Sequence, residues 1–275
     1  MFETINDVPA PPIQAKYSTK NLLDHRPTLL FVVLSAFFVS NALVAEFIGV
    51  KIFAFEETVG INPLNWNLFG HSGSLSLSAG VLLWPVVFIM TDLINEYYGK
   101  KGVKLLSYIG VGMISYAFVM IYAAIQFVPA DFWLTDFQEQ GVPDTQSAFA
   151  VIFGQGAWII VASIIAFLVG QILDAVVFHK LRVWTGNEKV WLRATGSTVF
   201  SQFIDSFLVL YIAFVLGPPQ WPISLFLAVG VVNYTYKFLV AVFLTPVIYL
   251  MHNLIDKYLG EETAAKMKAQ AIAEV

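Results

Sequence analysis

The chain has 275 residues, of which 58% are hydrophobic and 15% aromatic, against 15 basic and 19 acidic side chains. A soluble domain of this length cannot hide that much apolar surface, and the mean hydropathy of +0.73 is that of a protein dissolved in a bilayer. The absence of cysteine excludes disulfides, thiolate nucleophiles and cysteine-ligated metals, and a net charge of −4 offers no basic surface for nucleic acid.

Residues 1–27 carry Pro9, Pro11 and Pro12 with charges of both signs and no apolar core, which reads as a cytoplasmic tail rather than a cleaved signal. Beyond them a hydropathy window of about 19 residues finds six spans, at 28–48, 75–97, 104–128, 149–178, 193–216 and 222–252. The predicted fold is therefore all-α, a polytopic membrane bundle of six transmembrane helices over residues 28–256, followed by a cytoplasmic C-terminal tail at 257–275. Thirteen of the fifteen Lys and Arg lie in the tails and in the second and fourth connections, so the positive-inside rule places both termini in the cytoplasm. The fourth connection supplies Lys180, Arg182, Lys189 and Arg193 to that count.

Span one holds Asn41 and Glu46. The outer connection at 50–74 partly alternates polar and apolar residues, with Ile52, Phe53 and Phe55 before a Gly60–Pro63 turn signal and Leu64, Trp66 and Leu68 after it. A short extracellular hairpin covering the outer mouth fits this pattern. In span two, Asp92, Asn95 and Glu96 stand at i, i+3 and i+4, on one helical face. Trp84–Pro85 precedes them and is expected to kink the helix. The acidic, cation-free connection 131–144 places Phe132, Trp133 and Phe137 at the membrane surface.

The pairing of an amide with an ionisable group on one face recurs as Gln171 with Asp174 in span four, Gln202 with Asp205 in span five and Asn233 with Lys237 in span six. Even the lowest scales charge about 2.5–3.5 kcal/mol for an ionised side chain at a helix centre, so such residues face an interior. Converging, these faces make a polar pocket. Two plainer readings stand beside it: Asp205 and Lys237 as a structural ion pair, and Asp92 or Glu96 neutralised by Lys100 and Lys101 at the inner end.

The stretch from Leu83 to Lys101 resembles the "P-x6-D-x2-NE-x-YG" signature of the vitamin-uptake-transporter family, whose members include the queuosine precursor transporters. The likeness extends over about residues 28–256 through Asn41 to Lys51, Gly170 to Asp174, Arg193 with Ser201 to Ser206, and Asn233 to Lys237. It implies a fold similar to the six-helix substrate-binding subunits of energy-coupling-factor vitamin importers. It also implies import of 7-cyano- or 7-aminomethyl-7-deazaguanine through the bacterial inner membrane, for salvage into the queuosine of transfer RNA. The guanine-like edge offers N1–H and the 2-amino group as adjacent donors that one carboxylate accepts as a pair. Asn41, Glu46, Asp92, Asn95, Glu96, Gln171, Asp174, Gln202, Asp205, Asn233 and Lys237 are the expected substrate-binding residues.

Two other functions remain open on the residues: a substrate-binding subunit of an ATP-driven vitamin importer, and a non-transport membrane scaffold. The chain has no G-x-x-x-x-G-K-[ST] run, so a P-loop mechanism is not its own. Proton coupling through Asp92, Glu96 or Asp205, facilitated entry with metabolic trapping, and a separate ATP-driven module are each compatible with that. His25, His71, His179 and His252 are scattered, so neither a metal, a cofactor nor an enzymatic activity is expected. Oligomeric state leaves no mark in the pattern.

Overall fold

The computed structural model describes residues 24–154, 157–185 and 190–273. Residues 1–23, with Lys16 and Lys20, and also Lys189, lie outside the described residues. The first helix, α1 (Arg26–Ile48), starts with Pro27 in its first turn, where a missing N–H costs nothing. It buries Leu34, Phe38, Ala42 and Ala45 along one face.

The connection after α1 forms two small antiparallel pairs around a one-turn helix. Strand β1 (Ile52–Ala54), α2 (Phe55–Thr58), β2 (Trp66–Leu68), β3 (His71–Gly73) and β4 (Ser76–Ser78) follow in order, with β1 paired to β4 and β2 to β3. The expected hairpin exists, but its turn is not at Gly60–Pro63. It lies at Phe69 and Gly70, both at positive φ (52° and 81°), the geometry of a two-residue turn between twisted strands. Buried Glu56 pins the connection by accepting the N–H groups of Leu64 and Leu75.

After a 3-10 turn at Ala79–Leu82 comes α3 (Trp84–Gln126). Pro85 occupies its first turn, so it opens the helix and does not kink it. At about 1.5 Å per residue a straight helix of 43 residues would span roughly twice a ~30 Å hydrocarbon layer. Gly99 prevents this, with φ 67° and ψ −172° in the middle of the helix. Before it the chain runs antiparallel to α1: Ser78 Oγ donates to Gly49 O at 2.7 Å and Tyr98 Oη to Pro27 O at 2.6 Å. After it the chain returns, and Phe118 packs edge-on against Phe47.

Two short helices, α4 (Asp131–Thr135) and α5 (Thr145–Phe153, capped by Asp144), lie beyond this return. Phe132 there is widely exposed, as a membrane-surface segment requires. The remaining helices are α6 (Ala157–Thr185), α7 (Val190–Leu210) with a π-helical continuation at Tyr211–Leu216, and α8 (Ile223–Leu259). Among the described residues five helical stretches are long and apolar enough to cross a membrane: α1, α3, one within Thr145–Thr185, Leu192–Leu216 and α8. Their outward faces carry exposed Phe37, Val119, Tyr122, Phe243 and Leu250, the composition of a lipid-facing wall.

The segment expected as a C-terminal tail is largely a helix, α9 (Glu261–Ala273), turned back at Gly260 (φ 84°). It packs on α3, burying Ala264 and Ala271. Arg26 donates to Tyr258 O at 2.9 Å, so the start of α1 and the end of α8 share one end of the bundle with α9 and Gly99. The strands cap the other end, where His71 bonds Ser224 at the start of α8.

Gly99 sits in a backbone region reserved in practice for glycine, where a side chain costs on the order of 1–3 kcal/mol. Gly99→Ala is therefore expected to lower the thermal unfolding midpoint of the purified protein in detergent. An unchanged midpoint would contradict a hairpin at this residue.

Candidate functional site

The buried polar side chains gather where the first leg of α3 meets α6 and α7. Helical spacing turns Asp92, Asn95 and Glu96 to one side of α3, and all are almost fully buried. Asn95 donates to Ala175 O of α6 at 3.3 Å, a strut between helices. Glu96 is held by Arg193 of α7 through two bonds, Nε to Oε2 at 3.0 Å and Nη2 to Oε1 at 2.8 Å. Arg182 of α6 approaches Oε1 at 3.3 Å, donates to Glu96 O at 2.8 Å, and reaches Lys268 O of α9 at 2.9 Å.

These two arginines are both about 1% exposed. The sequence placed them in a solvated connection; the structure turns them inward, because their long side chains reach back from helix ends to a buried carboxylate. The guanidiniums of Arg182 and Arg193 are what neutralises Glu96. The only signal for this in the sequence was the presence of Arg193 within the family resemblance.

One turn back along α3, Asp92 has a different environment. Thr198 of α7 lies between the two carboxylates, 3.4 Å from Asp92 Oδ2 and 3.5 Å from Asp174 Oδ1 of α6, and its one O–H can serve either in turn. Ser201 donates to Asp174 Oδ1 at 3.0 Å. Thr91 donates to Gln171 Oε1 at 2.7 Å, so Gln171 joins the same cluster. Asp92 Oδ1, Asp174 Oδ2, Gln171 Nε2 and Gln202 Nε2 are buried with no hydrogen-bond partner.

Asp92 also lines a narrow cavity of about 30 Å³ between α3, α7 and α8, room for water-sized groups, so a larger ligand enters only when these helices part. Thr198 and Gln202 form its α7 wall, and Lys237 and Tyr236 its α8 wall. Trp84 and Phe88 add aromatic faces from α3. Asp174 and Gln171 do not reach the cavity surface; they stand behind Asp92.

The other expected residues fall outside this group or at its edge. Lys237 pairs with Asp205 at 2.7 Å, each half-buried, so the plainer ion-pair reading holds while Lys237 still faces the cavity. Glu46 is buried and bonded to Ser163 of α6. Asn41 donates to Phe37 O of its own helix at 2.8 Å. Asn233 is half-buried on α8 and does not line the cavity. Trp84, Thr198 and Tyr236 were not anticipated, since neither an aromatic nor a hydroxyl in an apolar span carries a positional signal. The connection after α1 meets the cavity wall where Phe55 packs edge-on against Tyr236.

The sequence pattern of the putative vitamin uptake transporter family matches residues 78–251, which include this cavity and its three walls. The chain belongs to that family. It is 29% identical over 190 residues to a protein of Bacillus subtilis named "probable queuosine precursor transporter", covering 68% of this chain and 75% of that one. It is 27% identical over 186 residues to the "queuosine precursor transporter" of Escherichia coli, covering 67% and 76%. A third such relative, from Haemophilus influenzae, is 25% identical over 171 residues, or 60% of this chain and 63% of its own. No solved structure matches. The family membership and the apolar helices together make the chain a multi-pass membrane protein.

Removing one partner of a buried ion pair strands the other, at a cost of about 3–5 kcal/mol. Glu96→Gln is therefore expected to reduce the amount of folded protein in the membrane and to lower its unfolding temperature. Asp92→Asn, which strands no cation, is expected to do neither. Equal thermal stability of the two variants in detergent would contradict the division of labour between these carboxylates.

Proposed function

We propose that the protein imports queuosine precursors, 7-cyano-7-deazaguanine and/or 7-aminomethyl-7-deazaguanine, across a bacterial inner membrane for queuosine salvage. The observation that carries this reading is the cavity lined by Asp92 and Gln202, whose Oδ1 and Nε2 are each buried with no hydrogen-bond partner. A guanine edge sets an acceptor, O6, beside two donors, N1–H and the 2-amino group. An amide donor beside a carboxylate acceptor is its complement. Trp84, Phe88 and Tyr236 supply faces for a planar bicycle.

The α3 reversal at Gly99 makes two passes of one helix, so the transport domain at 28–256 becomes a six-pass bundle. Lys100, Lys101 and Lys104 follow Gly99 at the end shared by Arg26 and α9, so that end is cytoplasmic by the positive-inside rule. Both flanking segments, 1–27 and 257–275, are then cytoplasmic. The strands lie outside, with His71 and Phe55 tying the connection over the cavity. Substrate contact belongs to Asp92, Gln202 and Lys237, whereas Glu96 and Asn95 hold the helices. The transporter names of the relatives favour this reading over a binding subunit of an ATP-driven importer, a scaffold or an enzyme.

Charge-assisted hydrogen bonds contribute about 1.5–3 kcal/mol each, so Asp92→Asn is expected to weaken binding of labelled 7-cyano-7-deazaguanine to the purified protein by at least about tenfold. Unlabelled deazaguanine is expected to compete, and a water-soluble vitamin such as riboflavin is not. Displacement by the vitamin alone, or unchanged binding by Asp92→Asn, would overturn the assignment.

A further inference from the structure

We infer that Asp92 and Asp174 form a site for one proton that is taken up together with the substrate, with Asp174 as its seat. The inference builds on the importer reading and adds the ion that drives it. The two carboxylates come from different helices, are both essentially inaccessible, and share the hydroxyl of Thr198. Each keeps one oxygen with no hydrogen-bond partner. Gln171, fully buried one turn before Asp174 and held by Thr91 beside Asp92, adds an unpartnered amide to the same cluster.

No described charged group facing the pair forms an ion pair with it, and the two guanidiniums on Glu96 leave one positive charge over on the Asp92 side. Glu96 on α3 has the same sign and is bonded to Arg182 of α6 and Arg193 of α7. Lys237 on α8, across the cavity, pairs with Asp205 of α7. No ion pair among the described residues includes Asp92 or Asp174. Nor do three acidic or histidine side chains converge there as a metal site would need. A single hydroxyl leaves one of the two carboxylates without its donor, and a proton is the smallest cation that supplies it.

The division follows from which carboxylate meets the cavity. Asp92 lines it and Asp174 stands behind. A guanine edge requires Asp92 as a carboxylate, accepting two donors. The proton must then sit on Asp174, where Ser201 and Thr198 hold Oδ1 and leave Oδ2 to carry it. It enters from the outer water with the substrate and leaves to the cytoplasm after the substrate departs. The emptied pair returns without it.

Linkage makes this measurable. If binding takes up one proton, affinity for labelled 7-cyano-7-deazaguanine falls as pH rises, approaching about tenfold per pH unit where the empty pair has lost its proton. The test is equilibrium binding to the full-length protein in detergent between pH 5 and about pH 9, with proton uptake recorded in weak buffer. The expected result is an uptake that rises with pH to close to one proton per ligand at the alkaline end for the wild type, and a pH-independent affinity for Asp174→Asn. Asp174→Glu, which keeps the carboxyl, is expected to restore the pH dependence. Proton uptake by the wild type does not require either variant to fold, so its absence alone overturns the site. Binding that is pH-independent in the wild type overturns the proton site and leaves the importer intact. Affinity that follows sodium, tested by exchange for choline at fixed pH, overturns the proton as occupant. Absence of deazaguanine binding at every pH overturns both.

Discussion

Glu96 between two guanidiniums is the interaction on which the rest of the structure depends. An ionised group inside a bilayer is tolerated only when it is paired and hydrogen-bonded, and Glu96 ties α3 to α6 and α7 by meeting that demand for three charges at once. Arg182 extends the tie through backbone carbonyls to α9, so the C-terminal helix becomes part of the bundle. Both guanidiniums are committed to Glu96, so the carboxylates one turn further along have no ion-pair partner of their own among the described residues. That vacancy is what a donor-rich substrate and a proton can fill.

The cavity lies between two closures of different character. On one side the strands and α2 lean over it through Phe55 on Tyr236 and His71 on Ser224, a few contacts of modest strength. On the other side Tyr97, Asp256 and Lys268 form a denser lock, with Tyr97 Oη 2.7 Å from Asp256 Oδ1 and Lys268 Nζ 2.7 Å from Asp256 Oδ2. The structure is therefore closed more firmly toward the end that bears α9. An alternating carrier must break that lock to release its cargo, and both sides of it are ionisable groups that water can replace at small cost.

Much of this was legible in the amino-acid pattern. The spacing of Asp92, Asn95 and Glu96 forced a shared face, and the price of intramembrane charge forced that face inward; both hold. Hydropathy located the helices at 26–48, 192–216 and the start of the one at 223–259 to within a few residues. But it opened span two nine residues early, over a strand and a 3-10 turn, opened span four eight residues before α6, and counted six spans where five helical stretches qualify. It could not see that α3 remains nearly continuous through Gly99, because a reversal at one glycine uses no loop. Nor could it separate Arg182 and Arg193 from solvated cations, since side-chain direction at a helix end is set by the partner and not by local propensity. Helix α9 escaped notice for a related reason: its docking is through alanines on an otherwise charged segment. The residues expected in the hairpin supply β1 and β2, but their partners β3 and β4 were not foreseen, because Phe69 adopts a positive φ that its residue type does not announce and Ser76–Ser78 was read as membrane span.

The central claim is that Asp92 reads the paired donors of a guanine-like edge. The most direct measurement compares binding of 7-deazaguanine with that of 7-deazahypoxanthine, which lacks only the 2-amino group, to the wild-type protein and to Asp92→Asn. A carboxylate accepting both donors predicts that loss of the amino group weakens wild-type binding by at least about tenfold and barely affects the variant. Equal affinity of the wild type for the two bases would contradict it.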